Sequence, residues 1–281
     1  MIKILKKGLH TSIQDLGRIG YRNYGIPISG AMNSDDAKMS NLILGNNETD
    51  AVMEITLQGP KLQFLDETPI AITGANLSPT LNGIALEMNK SISIQKGDII
   101  DFGARIAGVR SYLSVNGGFQ TDLVFGSRSY YEGITTKKIV EKEDELPFAL
   151  NLNKKQYQIQ LHDQTQDYQQ NELAVFEGPE FKMLNDDQKK QVLNSNFTLG
   201  INNRMAYQLK ELLPNNLTPI TSSTVLPGTV QLTPSGKMLI LMRDCQTTGG
   251  YPRIFQLSEQ SINRLSQKMQ HEKVHFKLFS D

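Results

Sequence analysis

Two glycine-rich segments, Thr11–Met32 and Gln246–Arg253, carry the residue types that could do chemistry in this chain. In the first, Asp15, Arg18, Arg22, Tyr21 and Tyr24 are interleaved with Gly17, Gly20, Gly25 and Gly30. Glycines at these spacings let the backbone turn tightly and approach another surface closely. A guanidinium fork for a carboxylate, aromatic walls and free N–H groups suit recognition of a small polar ligand. On these residues alone, a set of tight turns whose charges pair with one another is an equal reading. The second segment, Gln246-Thr247-Thr248-Gly249-Gly250-Tyr251-Pro252-Arg253, lies between the apolar stretches Met238–Met242 and Ile254-Phe255. It offers amide, hydroxyl and N–H groups without a general base, which fits holding a carbonyl or stabilising an oxyanion. An internally satisfied bend is the alternative, but so many consecutive polar or glycine residues make poor packing material.

Other motifs fail on inspection. There is no Gly-x-x-x-x-Gly-Lys-Ser/Thr phosphate loop and no Gly-x-Gly-x-x-Gly after a strand. Gly126-Ser127-Arg128-Ser129 approximates a nucleophile elbow but lacks its closing glycine and its strand–turn–helix setting. His271 and His275 have the spacing of a helical metal pair, yet no third ligand is nearby and the helix gives way to a strand there. Cys245 has no motif-spaced histidine and reads as inert packing. A biotin-accepting Ala-Met-Lys-Met is absent.

The elements that must position these loops are mostly strands. Period-2 alternation marks Ile92–Ile94 and Val274–Leu278, and further strand candidates are Val52–Leu57, Lys61–Leu65, Pro69–Thr73, Ile99–Gly103, Ser111–Val115, Tyr157–Leu161, Leu173–Phe176 and Met238–Arg243. Gly, Pro and Asn turns separate them, a pattern of barrels or sandwiches. Three helices are expected: one capped by Asn33 or Ser34 and ended by Gly45, one opening at Asn185, and one opening at Ser258 with Ile262, Leu265 and Met269 on one face. Gly59-Pro60 and Gly178-Pro179 each precede an apolar stretch read as a strand, an echo that suggests two similar lobes.

At 281 residues two lobes are expected. Charged and Gln-rich residues between Thr135 and Asn171 read as a solvated connector. The lobes are placed at 1–135 and 136–281, with the boundary inside 135–171. Lys+Arg and Asp+Glu both number 29, and no basic stripe is present, which argues against nucleic acid. No apolar run approaches the length of a membrane span. A single cysteine and a strand-like start without an export signal point to the cytoplasm.

With both loops in view, the chain resembles the KipI-antagonist, or allophanate hydrolase subunit 2, family over nearly its whole length. The matching residues are Thr11, Gln14, Asp15, Gly17, Arg18, Gly20, Gly25, Gly30, Ala31 and Met32. Also matching are Ile72-Thr73-Gly74-Ala75, Ser111–Val115, Gly117-Gly118, Gly126–Ser129 and Gln246–Pro252. The Asp that often follows Ala-Met in the family is Asn33 here. The resemblance implies a mostly β chain of two cyclophilin-like β-barrel lobes, similar to the carboxyltransferase portion of urea carboxylase. It further implies one component of an ATP-dependent 5-oxoprolinase, inactive alone and acting with a KipI-like subunit (allophanate hydrolase subunit 1 type) and a LamB/YcsF-type subunit. ATP would be used by the complex, and any biotin would be carried on another chain. A carboxyltransferase component of a biotin-dependent system is the second reading, and a regulatory binder of a KipI-like kinase inhibitor the third. For the site, Gln246 and Thr247 are expected to address a carbonyl and Arg128 or Arg18 to hold a carboxylate. Asp15, Tyr24, Tyr251 and Arg253 would complete substrate binding. Arg18, Arg128, Gln246, Thr247 and Tyr251 are expected to share one cleft.

Overall fold

A computed structural model describes residues 1–149 and 168–279. The strand expected at Tyr157–Leu161 and most of the Gln-rich stretch lie outside these residues. The chain forms two compact units, Met1–Arg18 with Ser29–Gln166, and Ile19–Ile28 with Asp167–Asp281. The glycine-rich N-terminal segment is therefore divided, its middle belonging to the C-terminal unit.

The first unit is built from two sheets. One runs β11 (Glu145–Leu146), β1 (Ile2–Lys6), β4 (Lys61–Phe64), β9 (Ile99–Phe102), β6 (Pro79–Leu81), β7 (Ile84–Ala85). The other runs β2 (His10–Gln14), β3 (Val52–Thr56), β10 (Ala107–Val115), β5 (Thr68–Asn76), β8 (Ile92–Ile94). Alternation decides the inward faces: Ile2 and Ile4, Leu62 and Phe64, Ile70 and Ile72, Leu113 and Val115 all enter one core. β10 departs from a strand with one wet face, because it is buried on both. Its second face is covered by helix α1 (Ser34–Ile43), where Tyr112 packs with Ala31, Ala37 and Val52, and Ser114 Oγ donates to Ser40 O at 2.7 Å. Asn33 caps α1 by accepting from the N–H groups of Asp35 and Asp36.

The second unit is a closed barrel. Its strands run β12 (Glu172–Glu177), β19 (Arg253–Leu257), β16 (Thr229–Leu232), β17 (Met238–Leu241), β14 (Ala206–Leu209), β13 (Phe197–Asn202), β20 (Lys273–Leu278). The ring closes through a parallel β12–β20 pair, with Leu173 opposite Phe276. Closure removes sheet edges, and four aromatic rings pack in sequence: Phe181 to Phe255 at 5.1 Å, Phe255 to Phe276 at 5.2 Å, Phe276 to Phe197 at 5.6 Å. These centroid spacings are those of favourable tilted pairs. Helix α2 (Asp186–Asn194) starts with a capping box between Asn185 and Gln188, and α3 (Glu259–Ser266) is capped by Ser258. A two-stranded strap, β15 (Ser223–Thr224) with β18 (Thr248–Gly249), carries the second glycine-rich segment.

The mostly β architecture with short helices is as expected, as is the helix giving way to a strand around His271 and His275, and two local expectations are corrected. Gly178-Pro179 leads into a 3-10 turn, Phe181–Met183, instead of a strand, because Phe181 turns against Phe255 and its N–H closes on Gly178 O at 3.1 Å. Met269 falls beyond α3, which stops at Ser266, while Ile262 and Leu265 are buried as expected. His271 sits in a turn with φ of 76° and His275 lies in β20, so the two do not share a helix face.

Candidate functional site

In the first unit one carboxylate joins two of the sequence motifs, the Thr11–Met32 segment and Gly126–Ser129. Asp15 Oδ1 accepts from Ser127 Oγ at 2.6 Å, Ser129 Oγ at 2.7 Å and Gly17 N at 2.8 Å, and Oδ2 accepts from Arg128 N at 2.6 Å. Its carbonyl accepts from Ala31 N at 2.8 Å. Gly30 must be glycine for this approach: its φ is 93°, and a Cβ there would stand 2.9 Å from Gly17 N. Ser127 and Ser129 are fully buried and donate to the carboxylate. They therefore build the loop and do not form an exposed nucleophile. Phe125 and Gly126 are both left-handed, making the tight reversal that returns the chain to the Val124–Ser127 bridge. Arg18, fully buried, donates to Ser129 O. Arg128 donates through its guanidinium to Thr121 O and, at 2.8 Å, to Gln120 Oε1. Asp15, Arg18 and Arg128 are thus brought together on the 127–129 segment.

A second buried network, which no sequence motif marks, holds the end of that loop. Glu54 on β3 is fully buried and accepts from Met32 N at 2.7 Å and Tyr112 OH at 2.9 Å, with Arg110 Nε 3.8 Å away. Tyr112 OH in turn accepts from Asn33 N at 2.8 Å. Burial, then the Glu54 charge, pushes the Tyr112 phenol well above its ordinary range, so it remains a donor. The available signal was a lone acid inside the apolar run Val52-Met53-Glu54-Ile55.

The second unit holds Tyr24, Gln246, Thr247, Tyr251 and Arg253. Gln246 and Thr247 are partly buried at the start of the strap, and Tyr251 is 39% exposed at its end. Tyr24 is 80% exposed on a 3-10 turn, Arg22–Tyr24. Arg253 forms a two-pronged pair with Glu180, Nε to Oε2 at 2.9 Å and Nη2 to Oε1 at 2.8 Å, and donates to Thr224 O at 3.0 Å. That pairing outweighs the opposing effect of partial burial and holds the Glu180 carboxyl below its ordinary value. Thr247 O accepts from Val225 N at 3.2 Å and from Arg22 Nη2 at 3.0 Å. Cys245 is buried against Val225 and Leu241, and burial pushes its thiol up to about 11. Among the described residues no group of three or more His, Cys, Asp or Glu is placed to hold a metal ion, and no helix is long and apolar enough to cross a membrane.

The carboxyltransferase domain, subdomain A and B, matches residues 24–278. The chain belongs to this carboxyltransferase family. A 5-oxoprolinase subunit of Escherichia coli (strain K12) is 30% identical over 283 residues, covering 98% of this chain and 90% of that one. The urea amidolyase of Saccharomyces cerevisiae is 38% identical over 131 residues, 46% of this chain but 7% of the yeast protein. Among solved structures, that of TTHA0988 superposes with a TM-score of 0.87 at 23% identity, over 98% of this chain and 55% of that one. This chain therefore shares the fold of TTHA0988 and spans about half of that protein's length.

Proposed function

We propose that this chain is a component of an ATP-dependent 5-oxoprolinase, opening 5-oxoproline to glutamate together with a KipI-like subunit and a LamB/YcsF-type subunit. The observation that carries the reading is the end-to-end likeness to the Escherichia coli 5-oxoprolinase polypeptide, at 98% of this chain and 90% of that one. Opening an unstrained lactam requires an activated carbonyl and a stabilised oxyanion. In the second unit the Gln246 amide and Thr247 hydroxyl address that carbonyl, and Tyr24, Tyr251 and Arg253 bind substrate. In the first unit Arg128 is the cation offered to a carboxylate, while the buried Arg18 and Asp15 hold the loop that carries it. ATP is used by the complex and held on a partner chain, and the chain alone is inactive. The assembly works in the cytoplasm.

The test is reconstitution. The chain is purified alone and with its two expected partners, and ATP-dependent glutamate release from 5-oxoproline is assayed. Release that is the same with and without this chain would sink the reading. A second reading, the carboxyltransferase component of a biotin-dependent urea carboxylase or allophanate hydrolase-type system, is favoured by the 38% identity to urea amidolyase. Carboxyl transfer from a biotin carrier to urea, with no turnover of 5-oxoproline, would select it.

A further inference from the structure

We propose that Arg22 is the positioning residue for Gln246 and Thr247: its guanidinium clasps the strap that carries them and so fixes where their side chains stand. The catalytic consequence rests on the proposed function; the clasp itself does not. Arg22 comes from Ile19–Ile28, the stretch that leaves the first unit's sequence to join the second. Its backbone is set by a 3-10 turn, with Tyr24 N donating to Tyr21 O at 3.0 Å and Gly25 N to Arg22 O at 2.9 Å. Gly25 ends the turn at a φ of 76°.

From this platform Nη2 donates to Val225 O and Thr247 O, two acceptors more than two hundred positions away in sequence. Val225 directly follows β15, and Thr247 directly precedes β18. One guanidinium therefore joins both strands of a ladder whose strands have two residues each. A ladder that short does not hold itself together in water. Arg253, anchored by Glu180, pins the same strap at the carbonyl of Thr224, the residue paired with Thr248. Arg253 ties the strap to the barrel strand it begins, and Arg22 ties it to the inserted stretch. Arg22 Nη1 is buried without a hydrogen-bond partner among the described residues, so the cation stays close to the strap and is not turned out to water. Arg22 is also the foremost charge acting on the Cys245 thiol, although burial outweighs it. Displacing a reactive amide or hydroxyl by about 1 Å costs on the order of 100-fold in rate, so a clasp of this kind controls turnover without touching substrate.

Cys245 provides the reporter. It is the chain's single cysteine, is 1% exposed and packs against Val225. Full-length wild type, Arg22→Lys and Arg22→Ala are treated with a maleimide, and the labelling rate is read beside the melting temperature. Labelling in the native state follows the population of the opened strap. Arg22→Ala is expected to label at least about 10-fold faster with an unchanged barrel melting temperature, and added guanidinium ion is expected to slow it again. In the reconstituted assembly, Arg22→Ala is expected to lower kcat about 100-fold while KM moves less than about 3-fold, with guanidinium restoring kcat. Should Arg22→Ala not fold, Arg22→Lys carries the test, because the shorter lysine keeps the charge but does not place its ammonium where Nη2 reaches both carbonyls, which gives an intermediate labelling rate. Unchanged labelling, or labelling that rises only in step with a global loss of melting temperature, overturns the proposal. A wild-type assembly that does not turn over 5-oxoproline overturns the proposed function instead, and labelling still decides the clasp.

Discussion

Ser129 and Asp15 grip one another twice: the serine hydroxyl donates to the carboxylate at 2.7 Å and accepts from the Asp15 N–H at 3.0 Å. Two residues 114 positions apart are thereby fixed in register, and Ser127 and Arg128 N complete the same cradle. Asp15→Asn tests it. Whichever way the new amide turns, an NH2 group faces a donor, either the Arg128 N–H or the hydroxyls and Gly17 N–H. A buried polar group forced into such a mismatch costs about 2 to 3 kcal/mol. Urea denaturation of the isolated chain should show that loss, and a change below about 0.5 kcal/mol would mean the cradle relaxes without the carboxylate.

Glu54 and Arg110 supply a second expected outcome. Arg110→Met strands a fully buried carboxylate whose remaining partners are Met32 N–H and the Tyr112 hydroxyl, among others. Breaking one side of a buried pair costs about 3 to 5 kcal/mol, whereas removing both charges is often close to neutral. Arg110→Met combined with Glu54→Leu should therefore recover part of the single-variant loss in the same denaturation experiment. An additive double variant would show that the two side chains do not act as a pair.

Glu180 and Arg253 make stability depend on pH. The Glu180 carboxyl titrates below its ordinary value of 4.5, first because Arg253 donates to it. A depressed carboxylate contributes stability above the unfolded-state value, and that contribution is lost as pH falls through the folded-state value. Glu180→Gln should melt below wild type at neutral pH, with the gap closing between about pH 5 and pH 3. A gap independent of pH would assign the effect to packing.

Strands are legible in the sequence where β1, β4 and β5 alternate and their turns are marked by Gly, Pro and Asn. The caps at Asn33, Asn185 and Ser258 are legible for a similar reason, each being a side-chain acceptor placed ahead of an acidic first turn. β10 is readable as a strand but not as one buried twice, since nothing local tells that α1 covers its second face. The two glycine-rich segments are legible as special, yet not their division: Gly17 and Gly30 serve the Asp15 cradle, while Arg22 serves the strap. That partition depends on contacts across 114 and 225 positions, which periodicity does not register. Glu54 is the residue whose signal is easiest to pass over, although an acid in an apolar strand is itself a sign of buried pairing.

Gln246 and Thr247 allow the sharpest separation of chemistry from packing, because a third residue of the same loop serves as the control. Gln246→Ala and Thr247→Ala remove partly buried polar groups near the strap's start and should leave the melting temperature within a few degrees of wild type. In the reconstituted assembly each should lower kcat about 100-fold if it faces the reacting carbonyl, the usual cost of one oxyanion donor. Cys245→Ala, one position before Gln246, should behave in the opposite way. Its thiol is buried and pushed up to about 11, so at neutral pH it is neither a thiolate nor an accessible nucleophile. Turnover should survive that substitution, while stability falls by the loss of a small buried side chain packed on Val225 and Leu241. Loss of kcat in Cys245→Ala with full kcat in both of the others would move the chemistry from the amide and hydroxyl to the thiol, against the burial that surrounds it.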